Sequence, residues 1–166
     1  ARGLAAAELP GRVELVGRAP WLVVDAAHTA ASALALAQAL ACLPGRATHL
    51  VLSVSAGKDL AAILAALLPG ASQVTVTRAE PTRSLAPEEI AAATRAAAPG
   101  VALRVVPNPH LALRAAREAA RPDDLVVATG SVYLAGIARR IWREAPAPVR
   151  VSRRATPSGA GTPPAS

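Results

Sequence analysis

The sequence predicts an α/β fold: a Rossmann-like, doubly wound and mostly parallel sheet of about six strands with helices on both faces. Three observations predict it. Short runs rich in β-branched residues alternate along the chain with longer runs of Ala and Leu at helical spacing. Most of the strand runs are continuously apolar, which is typical of strands that are covered on both faces. The connections are short, so each strand–helix–strand unit favours a right-handed crossover between parallel strands.

The predicted elements follow one another in a regular order. The six predicted strands are Val13–Val16, Trp21–Val24, His49–Val54, Gln73–Thr77, Ala102–Val106 and Leu125–Ala128. The five predicted helices are Ala31–Cys42, Leu60–Leu68, Pro87–Ala97, Leu111–Ala120 and Val132–Arg143. Pro-Gly pairs at 44–45, 69–70 and 99–100 each stop a helix before the next strand. Pro87, followed by two glutamates, is a favourable first residue of a helix.

We expect one folded domain at residues 10–143. The length of 166 residues suits a single domain with its own core, and 52% hydrophobic residues against 17% charged ones exclude a disordered chain. Residues 1–9 are predicted to be the remnant of an upstream linker, since the chain does not begin with Met and reads as a fragment. Residues 144–166 are rich in Pro, Ala, Arg and Ser without periodicity, which predicts a disordered tail.

Composition also narrows the class of protein. No apolar run reaches the roughly 18 residues of a membrane span, and the N-terminus lacks the pattern of a signal peptide. We therefore expect a cytoplasmic protein without a membrane partner. The single cysteine, Cys42, excludes a disulfide framework and a cysteine metal site. The three histidines are dispersed, so the sequence predicts no metal site.

The basic charge does not indicate nucleic-acid binding. The net charge is +7, yet all but one of the 18 basic residues are arginines, and these are scattered along the chain. A nucleic-acid interface is expected to cluster basic residues and to interleave aromatic ones, whereas the aromatic residues here are Trp21, Tyr133 and Trp142 alone. We therefore expect no nucleic-acid partner and favour small anionic ligands.

Candidate ligand-binding residues follow the predicted strands, where open parallel sheets bind ligands. Asp25 comes directly after the second strand, where it can accept a hydrogen bond from a ribose hydroxyl, and His28 can face the same ligand. The alternative is that Asp25 or Thr29 caps the following helix. Ser131 ends a Thr-Gly-Ser turn that places small donors at a helix N-terminus. That turn is either an anion site or a plain glycine turn with a serine cap.

Two charged residues lie in strand-to-helix loops. Lys58 is the single lysine in a chain that uses arginine elsewhere, which indicates either a compact positive charge for a phosphate or a solvated loop residue. Arg83 is either a surface residue or a partner for a carboxylate. His49 is predicted to be a structural residue, and His110 to be a cap or surface residue. The chain contains neither the phosphate-binding loop G-x-x-x-x-G-K-[ST] nor the hydrolase motif G-x-S-x-G.

Five short segments, in a fixed order, carry a family resemblance. They are Pro-Gly-Arg-Val-Glu at 10–14, Val-Asp-Ala-Ala-His-Thr at 24–29, Ser-Ala-Gly-Lys-Asp at 55–59, the loop at 77–89 and Thr-Gly-Ser-Val-Tyr-Leu-Ala-Gly at 129–136. Together they cover about residues 10–143 and resemble the C-terminal domain of the folylpolyglutamate synthase/dihydrofolate synthase family, within the Mur ligase superfamily. Two motifs depart from the family: D-G-A-H-N-P reads Asp-Ala-Ala-His-Thr-Ala here, and D-K-D reads Gly-Lys-Asp.

The resemblance implies an ATP-dependent ligase that adds L-glutamate to dihydropteroate or folate through an acyl phosphate. It also implies an upstream domain in the same chain with a P-loop, the pterin site and most of the Mg²⁺ ligands. The site residues implied are Arg12 and Asp25 for ATP, His28, Ser131 and Arg83 for glutamate, and Lys58 with His28 for catalysis. Lys58 would lie near the transferring phosphate.

Two other functions stay open at this point. One is a Mur-type peptidoglycan ligase domain with a different amino acid as the nucleophile. The other is a non-catalytic, Rossmann-like module that binds an anion, a hypothesis that gains weight because this chain has no phosphate-binding loop. For the ligase we expect that residues 1–166 fold alone but have no ligase activity, because they lack a loop able to hold the ATP phosphates.

Overall fold

The computed structural model describes residues 11–144. Six strands form one sheet: β1 (Glu14–Gly17), β2 (Trp21–Val24), β3 (Thr48–Leu52), β4 (Gln73–Val76), β5 (Ala102–Val105) and β6 (Leu125–Thr129). Five helices accompany them: α1 (Ala30–Ala41), α2 (Leu60–Leu67), α3 (Pro87–Ala97), α4 (Pro109–Ala119) and α5 (Val132–Glu144). A short 3₁₀ turn, Leu68–Gly70, follows α2. The predicted α/β class is confirmed.

The strand order is β1-β2-β6-β3-β4-β5. All neighbouring strands are parallel except β1, which pairs with β2 in the antiparallel sense. From β3 the chain moves outward to β4 and β5, and it then returns to place β6 between β2 and β3. The order therefore changes direction at β6, and ligands of open α/β sheets bind at such a point, outside the carboxyl ends of the strands.

The helices begin where the sequence supplies a cap. Thr29 caps α1 in a capping box with Ser32, so the alternative that Asp25 or Thr29 caps this helix holds for Thr29. The Asp59 carboxylate accepts the Ala62 N–H at the start of α2. Asn108 caps α4, which therefore starts two residues earlier than predicted, at Pro109.

The other element boundaries lie within two residues of the predicted ones. Helix α5 continues to Glu144, one residue beyond the predicted end. The predicted linker remnant at residues 1–9 lies outside the described residues, as does the predicted tail from residue 145 onward.

Two apolar layers cover the sheet, one on each face. The first contains residues of α1, α2 and α3, among them Ala33, Leu36, Ile63, Leu64, Ile90 and Ala91. The second contains residues of α4 and α5, among them Ala112, Leu113, Leu134, Ala138 and Trp142. Along β6, Leu125 and Val127 belong to the first layer and Val126 and Ala128 to the second, which explains why residues 125–128 are all apolar.

Helix α5 is held against the edge strand β1. The Trp142 ring lies so close to Gly17 that a Cβ atom on this residue would overlap it. Near the start of the strand, Arg139 forms an ion pair of 3.0 Å with Glu14. These contacts fix the second helical layer on the sheet. No helix within residues 11–144 is both long and apolar enough to cross a membrane.

Candidate functional site

The polar residues predicted for the site lie in the loops beyond the carboxyl ends of β2, β6, β3 and β4. Because these four strands are parallel neighbours, their carboxyl ends form one edge of the sheet. The edge carries Asp25 and His28 after β2, Ser131 after β6, Lys58 after β3 and Arg83 after β4.

The Asp25 carboxylate is buried and holds two loop segments together. The residue is 5% exposed, and its two carboxylate oxygens accept the N–H groups of Val13 and Ala27, each at 2.7 Å. Val13 is a β-branched residue with a φ of 44°, a left-handed backbone that such residues rarely adopt. The charged hydrogen bond from Val13 to Asp25 offsets part of that strain. Asp25 therefore organises the loop before β1 and does not cap α1.

Arg12 reaches the same edge through this loop. The neighbouring Gly11 carbonyl accepts the Ala26 N–H at 2.8 Å, which ties the Arg12 backbone beside the loop of Asp25. The Arg12 side chain is exposed and makes no ion pair within residues 11–144. It is thus a cation that is free to meet a ligand at this edge.

The half-buried His28 side chain has a defined tautomer. Its Nδ1 lies 2.8 Å from the Ala26 carbonyl, which can only accept, so Nδ1 carries the proton. The other ring nitrogen, Nε2, is left as an acceptor in the neutral ring. The backbone N–H of His28 donates to Ser32 Oγ at 3.2 Å, which anchors the residue to the first turn of α1.

The turn between β6 and α5 packs closely against the end of β3. Gly130 has a φ of 90°, and a Cβ atom there would lie 2.5 Å from the Ser53 carbonyl oxygen. Ser131 is 3% exposed, and its Oγ accepts the Tyr133 N–H at 3.2 Å, so the serine cap that was one of the two alternatives for this turn is present. The cap uses the Ser131 oxygen as an acceptor only, so it does not engage the hydroxyl proton.

The loops of Lys58 and Arg83 touch each other. The Ala56 N–H donates to the Arg83 carbonyl at 2.7 Å, and Ser55 and Ser84 form an isolated β-bridge. The Lys58 side chain is exposed and has no ion-pair partner among the described residues. The Arg83 side chain is 71% exposed and lies 3.5 Å from the Glu80 carboxylate. Two cations are thus displayed from joined loops.

The sequence interpretation missed a buried polar cluster beneath these loops. Ser53 is fully buried, and Ser84 is 7% exposed. Glu80 has one carboxylate oxygen that is buried without a hydrogen-bond partner. The sequence does show a polar residue, Ser53, at the end of the apolar run of β3. Its hydrogen-bond partners could not be predicted, because they lie in the loop after β4.

His49 occupies the opposite edge of the sheet, as a buried structural residue. Its Nε2 lies 3.3 Å from Asp124 Oδ2, and both residues are at least nine-tenths buried. Burial alone would raise the pKa of the Asp124 carboxyl, but the hydrogen bond from the Arg121 N–H and the contact with His49 lower it below its ordinary value. His110 is exposed in the first turn of α4, as predicted.

The described residues do not form a metal site of their own. No group of three or more His, Cys, Asp or Glu side chains within residues 11–144 is arranged to hold a metal ion. The Asp25 carboxylate, the one acidic group built into this edge among the predicted site residues, already binds two N–H groups. A divalent cation at this edge would need ligands from elsewhere.

Comparisons with known proteins identify relatives of this domain. A family model described as the Mur ligase, glutamate ligase domain, matches residues 11–132. A dihydrofolate synthase/folylpolyglutamate synthase of Mycobacterium tuberculosis is 38% identical over 158 residues, covering 87% of this chain and 32% of that protein. A probable bifunctional folylpolyglutamate synthase/dihydropteroate synthase of Haloferax volcanii is 33% identical over 147 residues, covering 89% of this chain and 17% of that protein.

Solved structures give the same result. The M. tuberculosis folylpolyglutamate synthase complexed with ADP and AMPPCP has a TM-score of 0.78 at 39% identity, over 87% of this chain and 34% of that one. A bifunctional folylpolyglutamate synthase/dihydrofolate synthase with Mn, AMPPNP and L-glutamate bound has a TM-score of 0.75 at 27% identity, over 85% of this chain and 34% of that one.

The chain spans about a third of the length of the M. tuberculosis relative and less of the H. volcanii one. Within that part, the family resemblance stated from the five motifs is confirmed. The chain therefore belongs to the Mur ligase family, in which it is a glutamate ligase domain similar to those of folylpolyglutamate synthase/dihydrofolate synthase.

Proposed function

We propose that this domain is the C-terminal, glutamate-binding part of a longer cytoplasmic ligase that joins L-glutamate to dihydropteroate or folate at the expense of ATP. The observation that carries the proposal is that five candidate residues lie in loops at the same edge of the sheet, beyond the carboxyl ends of its parallel strands: Asp25, His28, Lys58, Arg83 and Ser131. The similarity to a structure that holds a nucleotide analogue and L-glutamate together supports the same conclusion.

The reaction proceeds in two steps. The γ-phosphoryl group of ATP passes to the carboxylate of the acceptor, which gives an acyl phosphate and ADP. The amine of glutamate then attacks the acyl carbon, inorganic phosphate leaves, and the amine gives up a proton to form the amide. The charge on the phosphate oxygens must be stabilised in both steps, and the exposed ammonium of Lys58 supplies a compact positive charge for it.

The nucleotide side of the site consists of Arg12 and Asp25. Each Asp25 oxygen accepts one N–H and keeps a second lone pair, with which it can accept from a ribose hydroxyl. The exposed guanidinium of Arg12 lies on the segment that Asp25 holds in place, so it can approach the nucleotide from the same loop.

The glutamate side consists of His28, Ser131 and Arg83. The Nε2 of His28 can accept a proton or a hydrogen bond from the attacking amine, because Nδ1 is bound to the Ala26 carbonyl. The Ser131 hydroxyl can donate to a carboxylate. The exposed fork of Arg83 can bind a second carboxylate bidentately.

An upstream P-loop domain in the same protein completes the enzyme. The described residues contain no carboxylate cluster, so ligands for Mg²⁺ would come mainly from that domain. The magnesium ion supplies neutralisation of the phosphate charges when bound. Residues 1–9 would form part of the linker between the two domains, and residues 10–143 would form the domain that closes over ATP.

The test is an assay of ADP release by the full-length protein with ATP, Mg²⁺, dihydropteroate or folate, and a panel of amino acids. We expect turnover that depends on L-glutamate, and no turnover from the 166-residue chain alone in the matched control. Turnover with an amino acid of peptidoglycan instead would indicate a peptidoglycan ligase. Ligand binding without turnover of the full-length protein would indicate a non-catalytic module.

A further inference from the structure

Two buried serines connect the loop that carries Lys58 with the loop that carries Arg83. We call Ser53 and Ser84 the serine pair. Ser53 directly follows β3, and Ser84 lies between β4 and α3, 31 residues later. The Ser53 hydroxyl donates to Ser84 Oγ at 3.2 Å, across the gap between the two loops.

Each hydroxyl of the serine pair also holds backbone of the loop after β4. Ser53 Oγ accepts the Ala79 N–H at 3.0 Å, and Ser84 Oγ accepts the Glu80 N–H at 3.1 Å. Ser53 is 0% exposed, so water does not readily replace these bonds when one is lost. The serine pair therefore fixes the first half of the loop after β4 onto the end of β3.

Backbone contacts extend this connection to the charged residues. The Leu85 N–H donates to the Val54 carbonyl at 2.8 Å, and the Ala56 N–H donates to the Arg83 carbonyl at 2.7 Å. Arg83 is thus bound through its own carbonyl to a residue two positions before Lys58. The serine pair also holds the backbone N–H of Glu80, and the carboxylate of this residue lies 3.5 Å from the Arg83 guanidinium.

We propose that the serine pair positions Arg83 relative to Lys58, so that the two cations are presented as one unit. The pair touches neither ligand and acts through the backbone of the two loops. The proposal rests on the proposed function for the ligands that the cations meet, a carboxylate at Arg83 and a phosphate at Lys58. It goes beyond that function in assigning two positioning residues.

The first test is independent of catalysis. Amide hydrogen exchange is measured in the 166-residue chain and in its Ser84→Ala variant. We expect the N–H groups of Ala56 and Glu80 to exchange about five- to tenfold faster in the variant, as loss of one buried hydrogen bond implies. The control is Thr94→Val, which removes a fully buried hydroxyl that bonds only within α3. Unchanged exchange at Ala56 in Ser84→Ala would overturn the proposal.

The second test is a double-mutant cycle in the full-length protein. Ser84→Ala should raise the KM for glutamate about five- to tenfold with a smaller effect on kcat, and it should have no further effect on this KM once Arg83→Ala is present. An equal effect in both backgrounds would show that the serine does not act through Arg83 and would refute its positioning role. If the unchanged protein shows no glutamate-dependent turnover, the proposed function is wrong. The positioning role of the serine pair is then tested by the amide-exchange experiment alone.

Discussion

Gly130 is the residue whose replacement should most directly disturb the candidate site. It connects β6 to α5 with a φ of 90°, and a Cβ atom there would lie 2.5 Å from the Ser53 carbonyl oxygen and 2.8 Å from Leu52 Cδ1. Leu52 can move its methyl group, but the backbone carbonyl of Ser53 cannot move without disturbing β3. Gly130→Ala must therefore shift the end of β6 away from β3.

The cost of this substitution has two parts. A left-handed backbone costs an alanine roughly 1–2 kcal/mol relative to glycine. The shift also strains the hydrogen bond from the Ser53 N–H to the Thr129 carbonyl, which is already 3.3 Å long, and its loss adds about 1 kcal/mol. We expect Gly130→Ala to lower the free energy of unfolding by about 2–3 kcal/mol, measured by urea denaturation of the 166-residue chain.

Gly136 provides the matched control for this experiment. It lies on the exposed face of α5, and a Cβ atom there would meet nothing within 4 Å. Gly136→Ala should therefore stabilise the chain by about 0.5–1 kcal/mol, because alanine favours the helix more than glycine does. Surface substitutions usually change the free energy of unfolding by less than about 0.5 kcal/mol. A change no larger than that for Gly130→Ala would refute the claim that Gly130 packs against the Ser53 carbonyl too closely to admit a Cβ atom.

The remaining predictions concern the site and the buried pair at the opposite edge. His28→Ala and Ser131→Ala in the full-length protein should each weaken the use of glutamate by roughly 10- to 150-fold, with little change in the KM for ATP; equal losses for both substrates would contradict their assignment. Lys58→Ala should lower kcat much more than it raises either KM, and Lys58→Arg should restore the rate only in part; full rescue would mean that a compact charge is not required. The pKa of Asp124 is lower in the folded state than in the unfolded state. The ionised carboxylate should therefore stabilise the fold fully above the unfolded-state pKa, and this stabilisation should be lost as the pH falls from there through the folded-state pKa. Urea denaturation should show the free energy of unfolding falling between neutral and acid pH in the unchanged chain, and falling less in Asp124→Asn. In a His49→Gln background, the unchanged Asp124 and its Asn variant should differ less in this fall.

The local pattern of the sequence predicted most of the fold. Strand β2 and residues 125–128 of β6 are continuously apolar because helices cover both faces of the sheet, and such runs are visible without a structure. Caps are equally local: Thr29, Asp59 and Asn108 act on N–H groups within three residues of themselves. The carboxyl-edge positions of the candidate residues followed from the parallel pattern.

The sequence could not predict contacts between distant segments. Asp25 binds the N–H of Val13, twelve residues earlier, in a loop whose backbone conformation has no marker in the sequence. The bond between Ser53 and Ser84 spans 31 residues, and that between His49 and Asp124 spans 75. Such pairs depend on the strand order, which local periodicity does not determine.

The place of β6 has a consequence for how the chain folds. Within residues 11–144 this strand is the last one along the chain, yet it separates β2 from β3 in the sheet, so these two have no hydrogen-bonded neighbour on their facing sides until it pairs with them. During synthesis the β1–β2 hairpin and the β3–β4–β5 sheet would be two separate units with exposed apolar strand edges. The two units can join into one sheet only after residues 125–129 have left the ribosome. Because this final pairing joins residues about 75 to 105 positions apart, it should be slow compared with the formation of the helices.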